Sequence, residues 1–211
     1  MFGERMTRSE LRRYRRRGLD PRARRLVEAL AAAAPLEGAT TLEIGAGIGG
    51  LSLALLERGA DRATTIDAAP ATAVVARALA AERGVADRLE VRVGDFAEQP
   101  ADDRYDAVVL DRVVCCYPDW RGLLAPAADS ARRAVAMTYP RDVWYMRLFT
   151  RTLNGVMALL RREYRFYLHP APAMHDELRR HGLEPRVAGR TNVWELLVAV
   201  RGNGSAPVPD R

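Results

Sequence analysis

The chain has 211 residues, of which 48% are hydrophobic, and this is enough to bury the core of one domain. No apolar run reaches the roughly 18 residues of a membrane span, and the first residues do not resemble a signal peptide, so we expect a cytoplasmic protein without a membrane span. All 33 basic residues are arginine, which argues against a lysine-dependent mechanism. The net charge of +6 comes from residues 1–25, where ten arginines outnumber three acids, so the basic character is an N-terminal feature.

The N-terminal segment combines many arginines with Leu11 and Tyr14, which stand three residues apart as on one face of a helix. Three interpretations stay open: a helix with a solvated basic face, a lid over an active site, or a patch that binds RNA or an acidic membrane. A second helix is predicted over 21–34, because Asp20 is a favourable N-cap and proline suits the first helical position. We treat residues 1–35 as basic helices that form a lid or cap.

Beyond this segment, short apolar stretches alternate with stretches of helical periodicity. The predicted strands are 40–44, 62–66, 89–93, 106–110 and 134–138. The predicted helices between them are 49–58, 70–83 and 119–131. Gly59 and Gly84 stand where two of these helices end, as expected for C-terminal caps. The alternation is typical of a doubly wound α/β domain with a parallel sheet.

A glycine-rich loop joins the first of these strands to the helix that follows. Gly45, Gly47 and Gly50 fit the dinucleotide fingerprint G-x-G-x-x-G. The same loop also fits an acid-x-G-x-G-x-G pattern through Glu43 and Gly49, and in this pattern the chain resembles the class I S-adenosylmethionine-dependent methyltransferases. A carboxylate is unfavourable beside a pyrophosphate but favourable beside the ammonium and sulfonium of S-adenosylmethionine. Glu43 therefore favours the methyltransferase interpretation.

Acidic residues also follow the next strands. Asp67 ends the second strand, about 20 residues beyond the glycine loop, where a carboxylate can accept both ribose hydroxyls of either cofactor. The segment 94–96, Gly-Asp-Phe, resembles the methyltransferase segment in which an acid accepts the adenine amino group and an apolar side chain covers the ring. The cofactor site predicted on these grounds comprises Glu43, Gly45, Ala46, Gly47, Gly49, Asp67, Ala68, Gly94, Asp95, Phe96 and Asp111.

The C-terminal part of the chain departs from the strand–helix alternation. It contains a helical stretch at 143–162, a helix at 172–181 and extended runs at 184–191 and 193–200. The two runs are too close for a crossover helix, so we expect an antiparallel hairpin. A sheet that ends in such a hairpin, with its last strand between two neighbours, is similar to that of the class I methyltransferases, whereas dinucleotide-binding domains usually continue with parallel strands.

The sequence thus predicts a doubly wound, mostly parallel seven-stranded sheet of the Rossmann-like methyltransferase type with an antiparallel C-terminal hairpin. We place this domain at residues 36–202, with a helical insertion at 143–168. The segment 203–211, which contains glycine, serine and proline, is expected to be a disordered tail.

Five residues are candidates to hold the acceptor or to move its proton, and they are Asp111, Tyr117, Tyr139, Arg141 and His169. Arg141 follows the fifth strand, where a guanidinium could clamp an acceptor carboxylate. His169 lies in a loop beside proline, where it is a candidate base at pH 7, although a capping or exposed histidine is an open alternative. We expect the insertion to cover the acceptor pocket, with Arg141 and His169 as its polar anchors.

The resemblance implies methyl transfer from S-adenosylmethionine to a small-molecule acceptor, with O-methylation of a carboxylate or hydroxyl as the first expectation. An RNA methyltransferase that uses the arginine-rich N-terminus is one alternative, and an NAD(P)-dependent oxidoreductase is another. The Asn/Asp-Pro-Pro-aromatic segment of base-amine methylating enzymes is missing after the fourth strand, and no Tyr/Lys pair is present. The adjacent Cys115 and Cys116 lack zinc-site spacing, so no metal is predicted, and a covalent role for them is disfavoured. The choice between monomer and homodimer stays open.

Overall fold

The computed structural model describes residues 4–101, 103–162 and 164–202, so the predicted tail at 203–211 lies outside the described residues. The helices are α1 (Glu4–Arg17), α2 (Pro21–Ala33), α3 (Gly50–Glu57), α4 (Pro70–Glu82), α5 (Trp120–Asp129), α6 (Trp144–Leu159) and α7 (Ala171–Arg180). The strands are β1 (Thr40–Ile44), β2 (Arg62–Asp67), β3 (Leu89–Val93), β4 (Tyr105–Asp111), β5 (Ala131–Pro140), β6 (Leu183–Arg190) and β7 (Trp194–Arg201). A short 3-10 turn, Val114–Cys116, follows β4.

The seven strands form one sheet in the order β3-β2-β1-β4-β5-β7-β6. Neighbours from β3 to β5 pair in parallel, and β7 pairs antiparallel with both β5 and β6. The last strand therefore lies between two earlier ones. This confirms the predicted doubly wound sheet with an antiparallel C-terminal hairpin.

The central strands are buried on both faces, as β5 shows. Ala134 and Ala136 belong to the core under α2 and α3, whereas Val135, Met137 and Tyr139 belong to the core under α5 and α7. Successive side chains of a strand point to opposite faces, so a strand covered by helices on both sides reads as a continuous apolar run. This explains why the short apolar stretches of the sequence located the strands.

The N-terminal helix α1 packs against the glycine loop. Tyr14 is 8% exposed, and a Cβ atom added to Gly50 would lie 2.8 Å from its Cε2 atom. Glu10 lies on the same side of α1, with Oε2 3.5 Å from the position of a Cβ atom on Gly47. The arginines at 15–17 are exposed. The helix therefore has an inner face that covers the loop and a basic outer face.

The insertion after β5 contains α6, which packs lightly on the domain. Its buried residues are Met146 and Thr150. The Asn154 amide donates to the carbonyl of Phe166 at 2.8 Å and accepts from the Phe166 N–H at 2.9 Å, so the helix is fastened to the segment that follows it. Within the described ranges, no helix is long and apolar enough to cross a membrane.

Two glycines with similar backbone angles separate the effect of conformation from the effect of space. Gly45 has φ +66°, and a Cβ atom there would lie 2.5 Å from Val113 Cγ2; Gly84 has φ +68° with nothing within 4 Å. Both Gly→Ala changes incur the cost of a left-handed residue, about 1–2 kcal/mol, but only Gly45→Ala adds overpacking of about 1–3 kcal/mol. Urea unfolding should show a loss of stability at least about 1 kcal/mol larger for Gly45→Ala than for Gly84→Ala. Equal losses would contradict this packing of the loop.

Candidate functional site

A cavity of about 840 Å³ lies at the carboxyl ends of β1, β2 and β4. One wall is the glycine loop with Gly45, Ala46 and Gly47, and α1 covers it through Glu10 and Tyr14. Ligand cavities in proteins typically measure about 300–1,000 Å³, and open α/β sheets bind ligands at this edge. The cavity is therefore large enough for a nucleoside cofactor together with part of an acceptor.

Six acidic residues line this cavity: Glu10 and Asp20 come from the N-terminal segment, and each of the other four is supplied by a different strand or by the loop after it. Glu43 comes from β1, Asp67 ends β2, Asp95 follows β3 and Asp111 ends β4. Ala68, next to Asp67, also lines the cavity. The parallel arrangement explains the grouping, because the carboxyl ends of neighbouring parallel strands meet at one edge of the sheet.

Glu43 is a buried carboxyl at the floor of the cavity. Its Oε2 atom accepts hydrogen bonds from the Ser52 N–H at 2.9 Å and from the Ser52 hydroxyl at 2.6 Å. Burial outweighs these hydrogen bonds and raises the pKa of Glu43 to about 8. A buried carboxyl of this kind becomes more stable in its ionised form when a cation is placed beside it.

Asp67 is held by three donors at the end of β2. Its Oδ2 atom accepts from the Gly47 N–H at 2.8 Å, and its Oδ1 atom accepts from the Ala69 N–H at 2.8 Å and from the Thr72 hydroxyl at 3.1 Å. These bonds fix the carboxylate between the glycine loop and the start of α4. A carboxylate offers roughly four acceptor positions, so the geometry leaves room for a ligand hydroxyl.

Asp95 and Tyr117 form a second polar pair in the cavity. The Tyr117 hydroxyl donates to Asp95 Oδ1 at 2.7 Å, and the same oxygen accepts from the Ala97 N–H at 2.9 Å. Burial and the adjacent carboxylate raise the pKa of Tyr117 above its ordinary value. Tyr117 thus stays a neutral phenol that orients Asp95, whereas the sequence suggested a role at the acceptor.

Asp111 is committed to an ion pair that the sequence did not predict. Arg22 donates to both of its oxygens, from Nε at 3.1 Å and from Nη2 at 2.7 Å, and the Thr138 hydroxyl donates at 2.7 Å. The Arg22 guanidinium also lies 5.4 Å from the centre of the Trp194 ring. The sequence did contain one indication of this contact. Arg22 precedes Leu26 by four residues, so both lie on the apolar face of the same helix.

Arg112 lies beside this pair in a strained backbone conformation. Its φ of +62° is uncommon for a residue other than glycine, and its N–H donates to the Thr138 hydroxyl at 2.9 Å. Its side chain is exposed and lines the cavity. Thr138 therefore connects Asp111 and Arg112, and Arg112 presents a guanidinium to whatever occupies the cavity.

The remaining wall of the cavity is aromatic and sulfur-containing. It comprises Cys115, Cys116, Tyr164, Phe166, Tyr167 and Trp194. The Tyr167 N–H donates to the carbonyl of Cys115 at 2.8 Å, which joins the 3-10 turn to the segment after α6. Hydrogen bonding between the two thiols lowers the pKa of Cys116, while that bond and burial raise the pKa of Cys115. This wall suits the flat or apolar part of a ligand.

The structure does not bring three predicted cofactor residues into the cavity. Phe96 is 1% exposed and packs in the core with Leu42 and Ile66. Gly49 caps the start of α3, and Gly94 continues the pairing beyond β3 by donating its N–H to the carbonyl of Asp67 at 3.1 Å. The prediction of an apolar cover for the adenine is therefore corrected, because the side chain after Asp95 turns into the core.

The predicted base His169 is also absent from the described lining of the cavity. Its Nε2 atom lies 3.1 Å from the carbonyl oxygen of Val114 and 2.9 Å from that of Tyr117, and its ring stacks on Tyr167. A nitrogen that faces two carbonyls must carry the proton, so it cannot accept one there. Desolvation lowers the pKa of His169. His169 therefore fastens the loop after β4 through Nε2 and lies outside the cavity lining where it was predicted; Nδ1 stays as its acceptor atom, and its role as a base stays a prediction.

Arg141 and Tyr139 lie in a second depression, on the side of the sheet that faces α7. Arg141 donates to the carbonyl of Thr191 at 3.2 Å, and Tyr139 donates to Glu195 Oε1 at 2.6 Å. The physical reason is that β5 continues to Pro140, so that Tyr139 pairs with Glu195 across to β7. The prediction of Arg141 as an acceptor clamp is corrected by this placement. In the described part of the chain, no group of potential ligands could hold a metal ion.

The comparisons with known proteins agree with this geometry. A family model described as a methyltransferase domain matches residues 41–133, which span the glycine loop and the four carboxylates at the strand ends. Over these residues the chain carries a class I S-adenosylmethionine-dependent methyltransferase domain, and the cofactor of that family is S-adenosylmethionine. This decides between the two cofactor classes that the glycine loop alone left open.

Two curated relatives illustrate the range of the family. The chain is 37% identical over 158 residues to a release factor glutamine methyltransferase from Cereibacter sphaeroides, covering 66% of this chain and 55% of the relative. It is 37% identical over 133 residues to a ubiquinone biosynthesis O-methyltransferase from Azorhizobium caulinodans, covering 62% of this chain and 48% of the relative. The chain thus spans about half the length of these relatives.

One solved structure matches nearly the whole fold. The magnesium protoporphyrin IX methyltransferase of Synechocystis PCC 6803, solved with bound SAH, superposes with a TM-score of 0.72 at 20% identity. The match covers 92% of this chain and 95% of that one. It shows that the two chains share a fold.

Glu43 gives cofactor binding a defined dependence on pH. In the free protein its pKa of about 8 leaves it mostly protonated at pH 7, and a nearby ammonium favours the ionised form. Binding of S-adenosylhomocysteine should therefore release protons at pH 7, and affinity should rise between about pH 6 and 8. Calorimetry in buffers of different ionisation enthalpy measures this release, with Glu43→Gln as the control that removes this group's contribution. Equal proton release by the wild type and by Glu43→Gln would contradict the assignment of Glu43 to the cofactor ammonium.

Proposed function

We propose that this chain transfers the methyl group of S-adenosylmethionine to a carboxylate oxygen of a small aromatic or apolar acid. The proposal rests on Arg112, which lines the cavity with its Nε atom 3.9 Å from Asp111 Oδ2 and whose charge acts on Cys116 and Tyr164 of the aromatic wall. A guanidinium there can pair with an acceptor carboxylate while the wall contacts its apolar part. Arg112 thus replaces Arg141 as the candidate acceptor clamp.

The cofactor half of the cavity is proposed to use three of the carboxylates. Asp67 would accept the ribose hydroxyls and Asp95 the adenine amino group, while Glu43 would face the ammonium. The glycine loop lets the backbone approach the ligand closely, as the φ of +54° at Gly47 illustrates. An aligned pair of reactants can then react by in-line displacement without a covalent enzyme intermediate.

We choose a carboxylate acceptor because the side chains that could take a proton from the acceptor are already engaged in other hydrogen bonds. Asp111 is paired with Arg22, Tyr117 is held as a phenol on Asp95, and His169 is turned toward two carbonyls. An acceptor that is already ionised at pH 7 needs none of them. An acceptor oxygen attacks the methyl carbon in line with the breaking carbon–sulfur bond, and the electron pair of that bond stays on sulfur.

The helices outside the central sheet would isolate this reaction from water. We assign residues 1–35 the role of a cap, because α1 and α2 supply Glu10, Tyr14 and Arg22 to the cavity. The segment 143–168 would form the facing cover through its last residues. Exclusion of water strengthens the electrostatic contacts inside such a site.

Two macromolecular acceptors, RNA and protein, find less support in the geometry. The basic face of α1 is partly neutralised, since Arg15 pairs with Glu82 and Arg13 lies 3.7 Å from Asp20. The name of one relative indicates a protein acceptor, a glutamine of a release factor. A cavity closed by α1 on one side and by aromatic side chains on the other favours a compact acceptor over a macromolecule.

A paired acceptor panel tests the proposal. The full chain is incubated with S-adenosylmethionine and aromatic or apolar carboxylic acids, each matched with the alcohol of the same skeleton, and formation of S-adenosylhomocysteine is measured. Acids should be methylated and their matched alcohols should not. Gly47→Val serves as the negative control, because its branched side chain would occupy the space of the cofactor. Methylation of the alcohols alone would contradict the carboxylate proposal.

The role of Arg112 is tested on the best acid from this panel. Arg112→Gln should cut kcat/KM by about 100-fold, the loss of a charged contact to the acceptor, and leave affinity for S-adenosylhomocysteine within about twofold. Arg132→Gln, a change at an exposed arginine on β5, should have no effect on either quantity. Full activity of Arg112→Gln would remove this residue from the acceptor site.

A further inference from the structure

Helix α6 leaves a broad apolar face uncovered. The side chains of Trp144 and Leu159 are 75% and 83% exposed, and Leu148 is 59% exposed. Large apolar side chains that continue this face are Tyr145, Phe149, Val156 and Leu160. Isolated exposed apolar residues are ordinary, but a contiguous set on one helix marks an interaction surface.

The periodicity of the helix places these side chains together. Met146, Thr150 and Leu153 face the body of the protein, and residues at the opposite angle of a helix with 3.6 residues per turn face away from it. Trp144, Leu148 and Leu159 occupy that opposite angle. We call this set, with Phe149 and Val156 at its edge, the outer face of α6.

Arginines surround the outer face. Residues 144–168 contain Arg147, Arg151, Arg161, Arg162 and Arg165 against one acidic residue, Glu163. Arg147 pairs with Asp142 at 2.6 Å, just before the helix. A helix that combines tryptophan, phenylalanine and leucine on one face with arginines at its flanks is typical of segments that lie in the interface of a membrane. The positive charge complements anionic lipid headgroups.

We infer that α6 docks on an anionic phospholipid surface, with its outer face in the headgroup region and its axis in the membrane plane. The charge pattern favours lipid over a second copy of the chain, because two such faces would bring their arginines together. The docking does not depend on the proposed reaction.

A docked α6 would lie next to the acceptor wall. Asn154 on α6 is hydrogen-bonded through both amide atoms to the backbone of Phe166, and Phe166 lines the cavity together with Tyr164 and Tyr167. If the proposed function holds, this places the aromatic wall at the lipid surface, from which an apolar acid could enter. The class of acceptor would then be a lipid-partitioned acid.

Vesicle flotation with the full chain tests the docking. Vesicles of phosphatidylcholine with about one part in four phosphatidylglycerol should bind the protein, and vesicles of phosphatidylcholine alone should bind it at least about tenfold more weakly. The double variant Leu148→Gln, Leu159→Gln should lose about tenfold or more in partitioning. The matched control changes two exposed valines elsewhere, Val74→Gln and Val187→Gln, and should bind as the wild type does.

A second double variant, with its own control, tests the contribution of the arginines to vesicle binding. The double variant Arg151→Gln, Arg161→Gln should bind the anionic vesicles about fivefold or more weakly, because each arginine near the membrane surface contributes its own attraction to the headgroups. Arg132→Gln with Arg186→Gln, at exposed positions on β5 and β6, should leave binding unchanged. Thermal unfolding of all variants shows whether each one is folded, and these side chains are exposed, so we expect wild-type unfolding temperatures.

A native tryptophan reports the position of the face. Trp144 is 75% exposed, whereas Trp120 is 6% exposed in the core and Trp194 is half-buried in the aromatic wall. Anionic vesicles should shift the tryptophan emission to shorter wavelength, and Trp144→Phe should remove most of the shift while flotation persists. The proposal is wrong if neither vesicle binds, or if the Leu148/Leu159 and valine variants bind equally. A dimer that the Leu148/Leu159 variant dissociates, without vesicle binding, would assign the face to a second copy and overturn the proposal.

Discussion

Arg22 and Asp111 form a buried ion pair that connects the N-terminal helices to the end of β4. The contact joins residues 89 positions apart, and Thr138 on β5 completes it from a third element. Removing one partner of such a pair typically costs about 3–5 kcal/mol, because it leaves an uncompensated buried charge. The position of the cap, the direction of Arg112 and the closure of the cavity all depend on this contact.

The same edge of the sheet has to accommodate the carboxylates of Glu43, Asp67, Asp95 and Asp111, and of these Asp111 is paired with Arg22. Each is held by donors from a different place: Glu43 by a serine on α3, Asp67 by the glycine loop and α4, and Asp95 by Tyr117. Glu43 relieves the repulsion further by a raised pKa, for which burial is the main cause. The cationic end of the cofactor can pair with Glu43 and favour its ionised form, which is the physical basis of the proposed preference for a sulfonium donor.

The sequence was sufficient for the sheet and for the grouping of Glu43, Asp67, Asp95 and Asp111 around one cavity, because both depend on local patterns. Apolar stretches located the strands, and the spacing from the glycine loop to Asp67 reflects one strand–helix–strand unit. Arg22 and Glu10 were not predicted, since their importance arises only from contacts with distant parts of the chain. Phe96 and His169 were misplaced for a related reason, because no periodicity in a loop indicates whether a side chain turns to the cavity or to the core.

The decisive measurement is a crystal structure of the full chain grown with S-adenosylhomocysteine. The ribose hydroxyls are expected within about 3.2 Å of the Asp67 carboxylate, with the adenine amino group on Asp95 and the homocysteine ammonium beside Glu43. Arg112 and the aromatic wall should remain accessible next to the sulfur. A complex with the nucleoside elsewhere, or with its sulfur pointing away from Arg112, would contradict the assignment of the cavity.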